Sequence, residues 1–217
     1  MLFRSLSKEP KSSFKGHIEK ILGLIQKYRP GISLSVEVFS RDRDEILKQA
    51  KEFVDYFKYP ELSVKVQIGW NELETISQLA AMGISVNCTC CMTVSQAMMA
   101  ARAGAKYVSL FWARIRDGGT EEAFASVRNE LLTKKVLDQK DFDPAWVVRS
   151  TRDLLDQANI KSEIIAGSMR GVTDVRDAAL AGAHIVTTPP KFFMDMVSHY
   201  KTDQVVNQFL TDFAGWM

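Results

Sequence analysis

Short apolar runs alternate with amphipathic helical stretches along nearly the whole chain, and that alternation narrows the fold more than any other feature. Residues 32–39 read as a strand, with Leu34, Val36 and Val38 at alternate positions. Residues 42–57 then place Ile46, Ala50, Phe53, Val54 and Phe57 on one helical face. The pairing recurs with strands at 63–68, 84–89, 106–111, 162–166 and 184–188, and helices at 71–82, 93–103, 144–158, 172–181 and 190–198. A helix at 12–28 precedes the series and another at 203–215 closes it. Gly83, Gly104 and Gly182 stand where helices should stop. Repeated strand–helix units imply right-handed crossovers and a parallel sheet. Short, mostly apolar strands fit a sheet covered on both faces.

Two α/β architectures satisfy this pattern, an open doubly wound sheet and a (β/α)-barrel. Glu37, Lys65, Asn87, Thr89, Ser109, Ser168 and Thr188 all lie at or beside strand C-terminal ends. In a barrel such residues converge on one mouth; an open sheet would concentrate them at a switch point. The sequence has no glycine-rich phosphate loop of the G-x-G-x-x-G or G-x-x-x-x-G-K-[ST] type to mark such a point. The expectation is a (β/α)8 TIM-barrel type, incomplete at its N-terminus, with about six βα units visible in one domain over residues 1–217. The interval 114–143 is the longest between a strand and its helix. It holds Asp117-Gly118-Gly119, a turn signal, and a short helix at 121–132. Such an interval reads either as a substrate-covering loop or as a solvated insertion.

Composition excludes several classes. With 46% hydrophobic and 25% charged residues, the 217-residue chain reads as a soluble globular protein able to bury a core. A net charge of +2 gives no reason to expect nucleic acid or a membrane surface as partner. No apolar run approaches a membrane span, and residues 1–15 are too polar for a secretory signal. The three cysteines, Cys88, Cys90 and Cys91, are too close together for a disulfide framework, which points to a reducing cytoplasm. Cys88 and Cys91 have C-x-x-C spacing, but there is no second pair, and His17, His184 and His199 lie far off in sequence. The cysteines read as core, and neither a metal nor a cofactor is expected.

Lys65 is the chemically loaded residue. It interrupts Leu62-Ser63-Val64-Lys65-Val66-Gln67-Ile68, flanked by valines. If it points into a low-dielectric interior, burial favours the neutral amine, the nucleophile that forms a Schiff base with a carbonyl. The alternative is a strand-end lysine whose head group reaches solvent.

Five ordered segments carry a resemblance. Ser35-Val36-Glu37-Val38, Val64-Lys65-Val66 with Trp70 beyond it, Gly83-Ile84-Ser85-Val86-Asn87-Cys88-Thr89, Ser109-Leu110-Phe111-Trp112-Ala113-Arg114-Ile115 and Ala166-Gly167-Ser168-Met169-Arg170 resemble successive strand motifs of the transaldolase family of class I aldolases. The resemblance runs from about Ile32 to the C-terminus. It implies transfer of a dihydroxyacetone unit between sugar phosphates through a Schiff base on Lys65, with no cofactor and no metal. It implies Glu37 as general acid/base, Thr89 as holder of a water, and Asn87 as a substrate-orienting amide. Ser109, Arg114, Ser168 and Arg170 would grip the phosphate. Phe111 with Glu37 is the transaldolase pattern; the fructose-6-phosphate aldolase branch has tyrosine and glutamine there. Reversible aldol cleavage of that kind is the enzyme alternative, and a catalytically impaired sugar-phosphate-binding remnant is the non-enzymatic one.

The sequence also departs from the family. The first-strand aspartate and the second-strand Thr-Thr-Asn have no counterpart, and Leu2-Phe3-Arg4-Ser5-Leu6 resembles the stretch just after that second motif. Truncation and divergence both account for this. Gly69 stands where the family has threonine or serine. Six units would leave two strand edges unpaired, so the expected partners are sugar phosphates and, through those edges, further copies of the chain.

Overall fold

The computed structural model describes residues 14–216; the Leu2–Leu6 segment and the first two residues of the expected N-terminal helix lie outside them. Helix α1 (Phe14–Tyr28) leads into β1 (Leu34–Glu37), α2 (Arg43–Phe57), β2 (Leu62–Gln67), α3 (Trp70–Ala81), β3 (Ser85–Cys91) and α4 (Val94–Arg102). Then come β4 (Tyr107–Phe111), α5 (Trp112–Thr120), α6 (Ala125–Thr133), α7 (Pro144–Gln157), β5 (Glu163–Gly167), α8 (Val172–Leu180), β6 (Ile185–Val186), α9 (Phe193–Val197) and α10 (Tyr200–Phe213).

The six strands form one sheet in the order β1-β2-β3-β4-β5-β6, every neighbouring pair parallel. An order that never reverses has no switch point, so the doubly wound alternative falls. The sheet instead curls, and residues from β1 through β6 line a single concave cavity. Six strands fall short of the eight that close a barrel of this type, and β1 and β6 are the edges among the described residues.

Strand alternation separates the two faces. Val36, Val64, Val66, Val86, Cys88, Val108, Leu110, Ile164 and Ala166 turn to the helices and are almost wholly buried. Ile46 of α2, Ile76 and Leu79 of α3, Val147 and Leu155 of α7 and Ala178 of α8 cover them. Each such Val, Leu or Ile contributes about 1.5–3 kcal/mol from burial. The opposite face carries Glu37, Lys65, Asn87, Thr89, Ser109 and Phe111. Local signals fix the helix starts. Asp42 accepts from the Glu45 N–H at 2.9 Å, Thr93 from Gln96 N–H at 3.2 Å, and Asp143 from Ala145 N–H at 2.9 Å ahead of Pro144.

The interval after β4 departs from expectation. Asp117-Gly118-Gly119 is not a turn but part of α5, which starts directly from the strand at Trp112. The glycines serve packing: a Cβ on Gly119 would lie 2.9 Å from the Phe142 Cβ, in a 3₁₀ turn at Gln139–Phe142. The expected helix at 121–132 begins instead with a 3₁₀ turn, Glu122–Phe124, before α6. Strand β6 has only two residues of the expected 184–188, and Thr187 rather than Thr188 reaches the cavity. β3 runs past Thr89 to Cys91 through a bulge, with Cys90 at a left-handed φ of 64°. Cys88 and Cys91 are core, as expected; Cys90 is only partly buried.

Candidate active site

Register brings the chemistry together. Glu37 on β1 is paired with Lys65 on β2, and Lys65 with Asn87 on β3. The Lys65 Nζ donates to Glu37 Oε2 at 3.1 Å, with the two side chains 19% and 26% exposed. Lys65 therefore faces the concave side, but neither fully interior nor alone.

Asn87 is held at both ends. Its Nδ2 donates to Ser35 Oγ at 3.0 Å, and its Oδ1 accepts from Ser109 Oγ at 2.7 Å. Ser109 thus belongs to the floor of the cavity with Asn87, and Arg114 lines the same cavity. Tyr107 is buried one step lower on the same strand. Thr89 Oγ1 is buried and has no hydrogen-bond partner among the described residues. A buried hydroxyl so placed has capacity for one water. Burial pushes the neighbouring Cys90 thiol up, against a smaller downward pull from Thr89. Phe111, Arg114, Gly167, Ser168 and Thr187 form the far wall, and Phe14 and Ile18 of α1 reach in beside β1. The cavity measures about 580 Å³, within the range of small-molecule sites.

Beyond that wall lies a charged cluster. Ser168 ends β5 at a left-handed φ of 64°, uncommon for a residue with a side chain. The chain turns there towards α8. The Arg170 guanidinium makes a bidentate pair with Asp117 of α5, Nη1 lying 2.7 Å from Oδ1 and Nη2 against Oδ2. Arg114 Nη1 lies 3.9 Å from the same carboxylate. Arg114 lines the cavity, whereas Arg170 is not among its lining residues. The Arg170 pairing holds the Asp117 carboxyl below its usual range, against a slight opposing effect of burial.

Asp174, in the first turn of α8, anchors this cluster. It accepts from the Arg170 N–H at 2.8 Å, from Arg116 Nη1 at 3.0 Å and from the Trp112 indole at 3.2 Å. Burial would raise its carboxyl, but these donors outweigh it and hold it low. Glu72 does similar work beside the Lys65 strand. It is 4% exposed and accepts from Arg41 Nε at 3.0 Å and Gln67 Nε2 at 3.3 Å. A Cβ on Gly69 would sit 2.0 Å from Glu72 Oε2. The missing side chain at Gly69 is thus the space this carboxylate fills.

Sequence reasoning does not single out Asp117, Asp174 or Glu72. The available signals are weak: an aspartate three residues after Arg114, and acidic residues in the first turns of two helices. Among the described residues no cluster of His, Cys, Asp or Glu could hold a metal ion, and no helix is long and apolar enough to cross a membrane.

The sequence profile described as transaldolase/fructose-6-phosphate aldolase matches residues 13–215. A probable transaldolase of Caulobacter sp. (strain K31) is 34% identical over 182 residues, which are 84% of this chain and 73% of the relative. A probable transaldolase of Alkaliphilus metalliredigens (strain QYMF) is 33% identical over 202 residues, 93% of this chain and 81% of the relative. One from Symbiobacterium thermophilum is 32% identical over 182 residues, 84% and 73% of the respective chains.

Proposed function

The chain belongs to the transaldolase/fructose-6-phosphate aldolase family, and from that premise we propose that it transfers a dihydroxyacetone unit between sugar phosphates through a Schiff base on Lys65. The observation that carries the reading is the Lys65–Glu37 pair, 3.1 Å apart in the wall of a largely apolar cavity that Arg114 also lines. Glu37 takes the proton from the Lys65 ammonium. The neutral amine adds to the ketone carbon, and the carbinolamine oxygen, protonated in turn by Glu37, leaves as water. The iminium then draws the electrons of the adjacent carbon–carbon bond. Glu37 takes the proton of the hydroxyl on the carbon beyond that bond, the oxygen becomes the aldehyde oxygen, and an aldose phosphate departs. The enamine left on Lys65 adds to the aldehyde carbon of a second aldose phosphate. Water then attacks the new iminium and releases the product ketose.

Glu37 is the only carboxylate among the described cavity-lining residues, so it carries the proton traffic throughout, with a water at Thr89. Asn87, fixed by two serines, presents its amide to the substrate hydroxyls. Phe111 supplies an apolar wall where the aldolase branch has a tyrosine hydroxyl, which favours transfer over simple cleavage. Arg114, Ser168 and Arg170 receive the phosphate. Borohydride reduction with fructose 6-phosphate or dihydroxyacetone tests the central step. A mass increment on Lys65, absent from Lys65→Met, is expected; an adduct on another lysine refutes the assignment.

A further inference from the structure

Both arginines of the far wall meet the same side chain. Asp117 takes the Arg170 guanidinium on both carboxylate oxygens and lies 3.9 Å from Arg114 Nη1. Its neighbour Asp174 differs in kind. Asp174 is buried and takes a backbone N–H and an indole as well as an arginine, so it is a fixed part of the frame. Among the described residues the Asp117 carboxylate binds only arginine side chains, and the Arg170 side chain is 51% exposed. The exposed guanidinium of Arg170 is open to a competing anion from solvent. The Asp117 carboxylate is held as a bound anion would be, bidentate on one guanidinium and against a second.

We propose that Asp117 is an internal occupant of the anion site, displaced when a phosphorylated substrate binds, and that it thereby selects phosphate dianions over carboxylate monoanions. The proposal rests on the reading of Arg114 and Arg170 as the phosphate grip. Without a counter-ion the two guanidiniums would repel each other, and Asp117 offsets one of their two positive charges. An incoming carboxylate offers two oxygens and one charge, which Asp117 already supplies without any association penalty. A phosphate monoester offers three oxygens and close to two charges near neutral pH. Only the second exchange is favourable. Asp117 is therefore a specificity-determining residue.

Charge at the clasp comes from Arg114, Arg116 and Asp117 on α5, Glu121 at its end, Arg170 in the loop after β5 and Asp174 on α8. The arginines stay charged. Asp117 is held low chiefly by Arg170, and Asp174 is held low by its donors despite burial. Near neutral pH the titrating partner is the phosphate itself, whose second ionisation lies near 6 in a monoester and about one unit higher in inorganic phosphate. Wild-type affinity should fall as pH drops through that value, because a monoanion displaces Asp117 poorly. Removing the Asp117 charge should flatten the dependence.

Isothermal titration of the full chain with inorganic phosphate and with acetate, at about pH 7.5 and about pH 5.5, tests this. Wild type should bind phosphate, more weakly at the lower pH, and reject acetate. Asp117→Asn should bind phosphate about tenfold more tightly at the lower pH and should admit acetate. Weaker or unchanged phosphate binding by Asp117→Asn, with binding lost in Arg170→Ala, would overturn the proposal and leave the phosphate grip standing. Unchanged phosphate binding by Arg170→Ala would remove the grip and the proposal with it. Should Asp117→Asn fail to fold by circular dichroism, Asp117→Ser takes its place; failure of both assigns Asp117 a structural role and also overturns the proposal.

Discussion

Replacing Glu37 by glutamine separates proton transfer from covalent capture. The substitution keeps the shape and leaves an oxygen to accept from Lys65, but it removes the charge and the ability to take up a proton. At 3.1 Å the gross attraction in the pair is about 5 kcal/mol at an effective dielectric near 20. Desolvation and solvent access offset most of that, because the side chains are 19% and 26% exposed. The net loss of stability should be no more than about 1 kcal/mol, so the fold and Lys65 stay in place. Turnover should nonetheless fall by ~10²–10⁴-fold, the usual contribution of a general acid/base, because no other described carboxylate lines the cavity. Stopped-time transfer between fructose 6-phosphate and an aldose phosphate measures turnover, and borohydride trapping with intact-mass detection measures capture. The expected outcome is slow transfer with Lys65 still trapped on long incubation. Near-wild-type transfer by Glu37→Gln would refute the reasoning, because a mere structural counter-ion would then suffice.

Three further outcomes rest on named contacts. Asn87→Ala strands the Ser35 and Ser109 hydroxyls in the cavity floor and should cost about 1–3 kcal/mol in urea unfolding; unchanged stability would mean that water replaces the amide freely. Asp174→Asn removes a carboxylate held below its ordinary range, so wild type should have a stability increment that is present above the unfolded-state pKa and lost as pH falls through the lower folded-state value. The variant's melting curve should approach that of wild type in acid, and parallel curves at all pH values would contradict it. Gly69→Thr pushes the Glu72 carboxylate from its place, 2.0 Å from the new Cβ, and should destabilise by about 1–2 kcal/mol; a neutral Gly69→Thr would show that the carboxylate has other room.

Apolar alternation makes the sheet legible. Val36, Val64, Val86 and Val108 occupy equivalent outward positions, and the residues between them are polar, so strands, helices and the cavity-facing set can be read together. Helix α5 cannot. Its Asp117-Gly118-Gly119 has the composition of a turn, and only Phe142, more than twenty residues on, explains why the glycines are helical. Lys65 is legible as a lone cation within an apolar strand, but its pairing with Glu37 depends on register between strands. Arg170 is legible only as a basic residue beyond β5. That an aspartate from another element already fills its fork is a tertiary fact with no local signal.

Burial explains how one site can carry so many charges and still be folded when empty. Lys65 has Glu37 as its carboxylate, Arg170 has Asp117, Arg116 has Asp174 and Arg41 has Glu72. What differs is how deeply each acid is buried and what else it holds. Asp174 and Glu72 are 6% and 4% exposed and also take up backbone, indole or amide donors. Displacing Asp174 would leave the Arg170 N–H and the buried Trp112 indole unpaired, each costing about 1–3 kcal/mol, and displacing Glu72 would take the carboxylate from Arg41 and Gln67, so these two acids fix the ends of α8 and α3. Glu37 and Asp117 are the more accessible pair, with side chains 26% and 22% exposed, and among the described residues their side-chain partners are the cationic groups themselves. On the proposed reading both can let go of their cations without breaking the frame: Glu37 by taking the proton of the amine, and Asp117 by yielding its guanidinium to a phosphate. Four similar ion pairs would then divide into two that build the site and two that exchange during the reaction.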